Sequence, residues 1–136
     1  MTDEEFLTAF EAAAINRADW THEAHVRMAW LYLSRGPSVE ALDRIRIGIK
    51  KLNARIGSAD GYHETITVAF VRLIASRMEP GESHDAFRER NPLLFDRKLA
   101  ALLHYYSKDR LDSAAARKHF IEPDLRPLPP LASIGS

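Results

Sequence analysis

The stretch SVEALDRIRIGIKKLNARI, residues 38–56, decides the fold class. Its apolar side chains recur at alternating intervals of three and four residues, at Leu42, Ile45, Ile49, Leu52 and Ile56. This spacing places them along one side of an α-helix and predicts a helix that packs through a narrow apolar seam. Gly36-Pro37 before the stretch and Gly57 after it are natural ends for a helix.

Two shorter helices are predicted upstream of this seam. Thr2 and Glu5 form the pattern of a capping box, so a first helix is expected over residues 2–15. A second helix is expected to start within residues 19–21, whose Asp and Thr both suit an N-cap, and to end at Ser34.

The downstream half is also predicted to be helical. One helix is expected over residues 62–78, and Asn91-Pro92 signals the start of another that runs to about Tyr106. Shorter helical segments are expected at residues 84–90 and 113–119. The chain beyond Glu122 is rich in proline and is expected to be extended.

These elements predict an all-α protein, an up-and-down helical bundle of four to five main helices with short connections. We expect a single helical domain over residues 1–122 and an extended, Pro-rich C-terminal tail over residues 123–136. In such a bundle, helices that follow one another along the chain are antiparallel neighbours.

Composition narrows the classes of function. The 136 residues carry zero formal net charge, which argues against a nucleic-acid binder. No apolar run is long enough to cross a membrane, and the acidic start MTDEEF does not resemble a signal peptide, so we expect a cytoplasmic protein. The chain has six His and no Cys, so any metal site must use imidazole, carboxylate and water.

The histidines are not evenly distributed over this bundle. His22 and His25 form an H-x-x-H pair at the start of the second helix, and His63 with Glu64 begins the helix over residues 62–78. Because these two helices run parallel in an up-and-down bundle, their N-terminal ends meet. The same topology places His104 near that end, so four of the six His are expected to converge there.

This cluster predicts a divalent metal site. His22, His25 and His63 are the predicted ligands, and three imidazoles with an open position are typical of a catalytic centre. Glu64 and His104 are the candidates for proton transfer. Zn, Fe, Mn and Ni all accept such ligands.

The predicted function is therefore a metal-dependent enzyme of hydrolase, lyase or isomerase type. Its substrate would be a small molecule, and an anionic one would suit the positive helix ends. Trp20, Tyr62 and Thr67 lie next to the predicted ligands in sequence and are the candidates for lining the substrate pocket.

Two stretches carry a resemblance. WTHEAH at residues 20–25 and GYHETIT at residues 61–67 resemble signature stretches of a family of small, uncharacterised bacterial proteins. The resemblance covers most of the chain through Tyr106 and implies no named activity. The plan is also loosely similar to the DinB-like bundles, which use three His on four helices, although their paired His are spaced differently and come later in the chain.

Two other functions fit the same sequence. One is a metal-free site in which His and Glu side chains bind a small ligand at the same end of the bundle. The other is a non-enzymatic interaction module, such as a homodimer, that uses the narrow seam of residues 42–56 or the Pro-rich tail.

Overall fold

A computed structural model describes residues 1–131, and every regular element in that range is helical. The all-α prediction is confirmed. The seven α-helices of the described range are α1 (Asp3–Glu11), α2 (His22–Leu33), α3 (Ser38–Arg55), α4 (Glu64–Arg77), α5 (His84–Arg90), α6 (Lys108–Leu111) and α7 (Ala114–Lys118). Four of them, α1 to α4, are the main helices.

Most helix starts follow local capping signals. Thr2 and Glu5 make both hydrogen bonds of a capping box at the start of α1. The hydroxyls of Thr21 and Ser83 accept from backbone N–H groups in the first turns of α2 and α5. Ser38, by contrast, is the first residue of α3 and not its cap, because Pro37 occupies that position.

Helix α1 ends four residues earlier than the expected residue 15. Ala13 has φ of 54°, and its N–H donates to Phe10 while the N–H of Ala14 donates to Ala9. These two bonds form a Schellman motif, which usually has glycine at the left-handed position. The turn redirects the chain so that Ile15 is buried in the core.

The single helix expected over residues 92–106 is wrong. The structure has two short 3-10 helices, Pro92–Phe95 and Leu102–His104, separated by a break. At the break the Asp96 carboxylate accepts from the backbone N–H of Lys98, and Leu99 adopts a φ of 63°. A side chain that bonds to nearby backbone competes with the helical hydrogen bonds and ends the helix.

Helix α2 is central and contacts α1, α3 and α4. The predicted seam of α3 is buried within the same chain at Leu42, Ile45, Ile49 and Leu52. Residues of α2 and α4 complete the core on the other side, with Leu31 and Leu73 each 1% exposed. The apolar seam therefore closes a core between α2, α3 and α4.

The proline-rich tail lies on this body without helical structure as far as residue 131. Leu128 is buried, and Arg72 of α4 donates hydrogen bonds to the carbonyls of Leu128 and Pro129. The rest of the predicted tail, residues 132–136, lies outside the described residues. Within residues 1–131, no helix is long and apolar enough to cross a membrane.

Candidate functional site

A cavity of about 270 Å³ lies between α2, α3 and α4 and opens to solvent. Two histidines and one threonine are its polar residues, His22, His25 and Thr67. The rest of the lining is apolar and comes from Val26, Met28, Ala29, Ile45, Ile49, Ile66, Phe70, Val71 and Ile74. A concave, mostly apolar surface with a few polar groups is the usual form of a small-molecule site.

His25 is held in one orientation and one tautomer. Its Nδ1 lies 2.7 Å from the carbonyl oxygen of Thr21, one turn earlier. Because a carbonyl only accepts, Nδ1 carries the proton and Nε2 keeps its lone pair. The ring also stacks on Trp20 with the centroids 3.7 Å apart, and burial lowers the pKa of His25 to about 4.

His22 is oriented by a different partner. Its Nε2 lies 2.8 Å from the carbonyl oxygen of Leu94, so Nε2 is the donor and Nδ1 is the acceptor of the neutral ring. The ring meets Phe70 edge to face, with centroids 5.1 Å apart. Both cavity histidines thus donate one N–H to backbone and retain one lone pair.

His63 does not share this cavity. It is the N-cap of α4, where Nδ1 accepts from the N–H of Ile66 and Nε2 donates to the carbonyl of Leu111 at 2.8 Å. Burial of the ring lowers its pKa. Since both ring nitrogens are already bonded, His63 is not brought together with His22 and His25 as a third ligand.

Glu64 is engaged in an ion pair beside the cavity. Arg46 of α3 donates to both of its carboxylate oxygens, and the Tyr62 hydroxyl donates to Oε1 at 2.5 Å. Burial raises the pKa of Glu64, but the hydrogen bonds from Arg46 and Tyr62 outweigh this and hold it below its usual value. A carboxylate that stays ionised and paired is poorly suited to exchange protons near neutral pH.

The other predicted site residues are divided between several places. Thr67 lines the cavity, and its hydroxyl donates to the carbonyl of His63. Trp20 lies under the ring of His25 and donates its indole N–H to Asn53, and Tyr62 is bonded to Glu64. Trp20 and Tyr62 therefore contact residues in or beside the cavity but do not line it themselves.

His104 lies elsewhere. It is exposed and lines a separate cavity of about 380 Å³ with Leu73 and Arg77, from the C-terminal half of α4. The break at Leu99 replaces the straight helix that was expected to carry His104 toward His63. Within residues 1–131, no three His, Cys, Asp or Glu side chains are grouped so that they could hold a metal ion.

Two features were not found from the sequence. Arg46 is one of several basic residues in the stretch of residues 38–56, and nothing in the sequence indicates that it pairs with Glu64. His84 begins the predicted helical segment over residues 84–90, and nothing in the sequence indicates that its ring packs against Trp30 and Phe95 at centroid distances of 5.4 and 5.7 Å. Both depend on contacts between residues distant in the chain, which local patterns do not reveal.

No family model, curated protein or solved structure matches this chain. The resemblance of the WTHEAH and GYHETIT stretches to small bacterial proteins therefore stays a prediction. The assignment of a site rests on the cavity and its two histidines.

Proposed function

We propose that the cavity between α2, α3 and α4 binds a compact, mostly apolar small molecule whose polar end meets His22 and His25. One observation carries this proposal. A cavity with aliphatic walls is lined by two imidazoles that are each oriented by a backbone carbonyl and each retain an unused lone pair. A side chain with one fixed donor and one free acceptor is prepared to meet a ligand.

The cavity volume matches a small ligand. Liquid water takes about 30 Å³ per molecule, so a cavity of about 270 Å³ suits a ligand of about nine non-hydrogen atoms. Most of its contacts would be with aliphatic groups of α3 and α4 such as Ile49 and Ile74. Apolar contact would then supply most of the affinity and the imidazoles would orient the ligand.

The electrostatics favour binding over strong base catalysis by His25. A general base works best when its pKa is close to the operating pH, whereas burial lowers that of His25 to about 4. The neutral ring remains a good hydrogen-bond acceptor at pH 7. The hydrolase, lyase or isomerase reaction expected from the sequence stays a prediction.

A thermal-shift experiment with 4-ethyltoluene, a probe of nine non-hydrogen atoms, tests the proposal. At tenfold excess over its Kd the probe should raise the Tm by about 5 °C. Ala29→Leu, which places a larger side chain on the cavity wall, should abolish the shift. The matched control Ala54→Leu lies on the exposed side of α3 and should keep it.

The result that contradicts the proposal is equally specific. An unchanged Tm for the unmodified protein, together with unperturbed NMR signals of the Ile49 and Ile74 methyl groups at saturating probe, would exclude this cavity as the site. The same shift in Ala29→Leu would place the binding elsewhere.

A divalent ion at the same place is the second candidate. Metal-binding imidazoles commonly donate their other ring N–H to a backbone carbonyl, as both His22 and His25 do here. A metal ion held by these two neutral imidazoles would need further donor atoms from water or from the bound small molecule. Metal analysis of tag-free protein, compared with His22→Gln, tests this candidate, and a metal-free preparation would contradict it.

A further inference from the structure

We infer that the ligand of this cavity is a neutral molecule with a hydrogen-bond donor at its histidine end, of the class of small phenols and alcohols. The inference rests on the proposed function and adds the chemical class of the ligand. It follows from a count of donors and acceptors on the polar residues of the cavity.

The two histidines offer acceptors. The ring proton of His25 is used on Thr21 and that of His22 on Leu94, so the remaining nitrogens, Nε2 and Nδ1, have lone pairs only. An acceptor group of a ligand, such as a ketone oxygen, would face these lone pairs without a proton between them. A hydroxyl or an N–H would satisfy them.

Thr67 offers the same polarity. Its single hydroxyl proton is donated to the backbone carbonyl of His63 at 2.9 Å, so the oxygen has only lone pairs left to offer a ligand. All three polar side chains of the cavity are therefore acceptors. These three residues come from two helices, and each is left with only an acceptor because its proton is donated to a different backbone carbonyl.

The absence of charged residues from the cavity lining within residues 1–131 narrows the class of ligand further. No Lys, Arg, Asp or Glu lines the cavity, and Glu64 beside it is already paired with Arg46. A carboxylate or phosphate would lose its hydration and meet three lone pairs, which is strongly unfavourable. A bound ammonium would find acceptors but no countercharge. A neutral hydroxyl compound avoids both costs, in contrast to the anionic substrate that the helix ends suggest.

Three probes of similar size separate these possibilities by isothermal titration. They are 4-ethylphenol, its isostere 4-ethyltoluene, in which methyl replaces hydroxyl, and the anion 4-methylbenzoate. One hydrogen bond to the neutral ring should make the phenol bind about five- to tenfold more tightly than the toluene. The benzoate should bind at least tenfold more weakly than the phenol.

His25→Phe keeps a ring against Trp20 but removes the acceptor, so the preference for the phenol should fall. His104→Gln, at an exposed histidine outside the cavity, should leave all three affinities unchanged. The unmodified protein gives an independent measurement, since the ¹⁵N signal of His25 Nε2 should shift with 4-ethylphenol and not with 4-ethyltoluene.

The outcomes distinguish this inference from the proposed function. Equal affinities for the phenol and the toluene, or tighter binding of the benzoate, would overturn the inference and leave the apolar cavity as a binding site. Failure of both neutral probes to bind would contradict the proposed function itself.

Discussion

At the scale of single residues, the imidazoles of this protein perform different tasks. His25 and His22 line the cavity and each keep one free acceptor, whereas both nitrogens of His63 are used. Its Nδ1 caps α4 at Ile66, and its Nε2 donates to the carbonyl of Leu111. The sequence correctly places these three residues at helix starts. It does not reveal which backbone groups each ring contacts. Those contacts decide whether a histidine keeps a ring nitrogen without a hydrogen-bond partner.

His63→Ala tests the structural role assigned to that residue. Loss of the N-cap should cost about 1 kcal/mol. Leaving the carbonyl of Leu111 without its donor should cost about 1–3 kcal/mol more in the free energy of unfolding. His63→Asn, which restores a capping side chain, should recover about 1 kcal/mol, and His119→Ala at an exposed site should change stability by less than about 0.5 kcal/mol.

Urea denaturation with and without a chelator distinguishes this role from metal binding. The loss in His63→Ala should be the same under both conditions. A difference between wild type and variant that disappears when the chelator is added would instead identify His63 as a metal ligand.

At the scale of helices, the close approach of α1 and α3 depends on Gly48. A Cβ built at this position would lie 2.2 Å from Cε2 of Phe10, whose ring is fully buried. Glycine is unfavourable within a helix by about 1 kcal/mol relative to alanine, so its presence in the middle of α3 is explained by this contact. The aromatic ring of α1 occupies the space that a side chain would take.

Gly48→Ala should therefore destabilise the protein although alanine is the better helix former. Crowding of a packed core costs about 1–3 kcal/mol, which exceeds the gain in helix propensity. Phe10→Leu in the same chain should relieve the clash, so the double variant should be more stable than the sum of the single changes predicts. Gly36→Ala is the matched control, because a Cβ there meets nothing within 4 Å. Equal effects of the two alanine substitutions in urea denaturation would contradict this account.

At the scale of the whole molecule, the four long helices could be predicted from the sequence, whereas several turns and the segment after α5 could not. The spacing of apolar residues and the capping signals are local properties of the sequence. The α3 seam and the cap at Thr2 could therefore be predicted from the sequence alone. The turn at Ala13 and the break at Leu99 place non-glycine residues at positive φ, against local preference. Burial of groups on both sides of each turn compensates, and that gain exists only in the folded chain.

The cavity is likewise a property of the assembled molecule. Its walls come from three helices, so the pairing of His22 and His25 with aliphatic side chains of α3 and α4 follows only from their packing. The expected position of His104 depended on a straight fifth helix, and that of His63 on the parallel course of α2 and α4. The ring of His63 is instead bonded to Ile66 and Leu111. The folded chain brings two of the four histidines, His22 and His25, together at an apolar cavity.

The pH dependence of stability is the global consequence of these buried imidazoles. Burial lowers the pKa values of His25, His63 and His84 below 6.5, so the unfolded chain binds more protons than the folded chain as the pH falls. Their contribution to stability is fully present above about pH 6.5 and should be lost progressively toward the folded pKa values, about 4 for His25.

His84 allows one part of this loss to be isolated. Its ring lies between Trp30 and Phe95, and its Nε2 is buried without a hydrogen-bond partner. Besides burial, Arg27 of α2 opposes protonation, whereas Asp85 and, more weakly, Asp3 and Glu23 favour it. His84→Phe should therefore flatten the fall of the free energy of unfolding as the pH drops below 6.5, while His119→Gln should leave the slope unchanged. Urea denaturation at several pH values measures both slopes, and parallel curves for wild type and His84→Phe would show that His84 takes up its proton equally in both states.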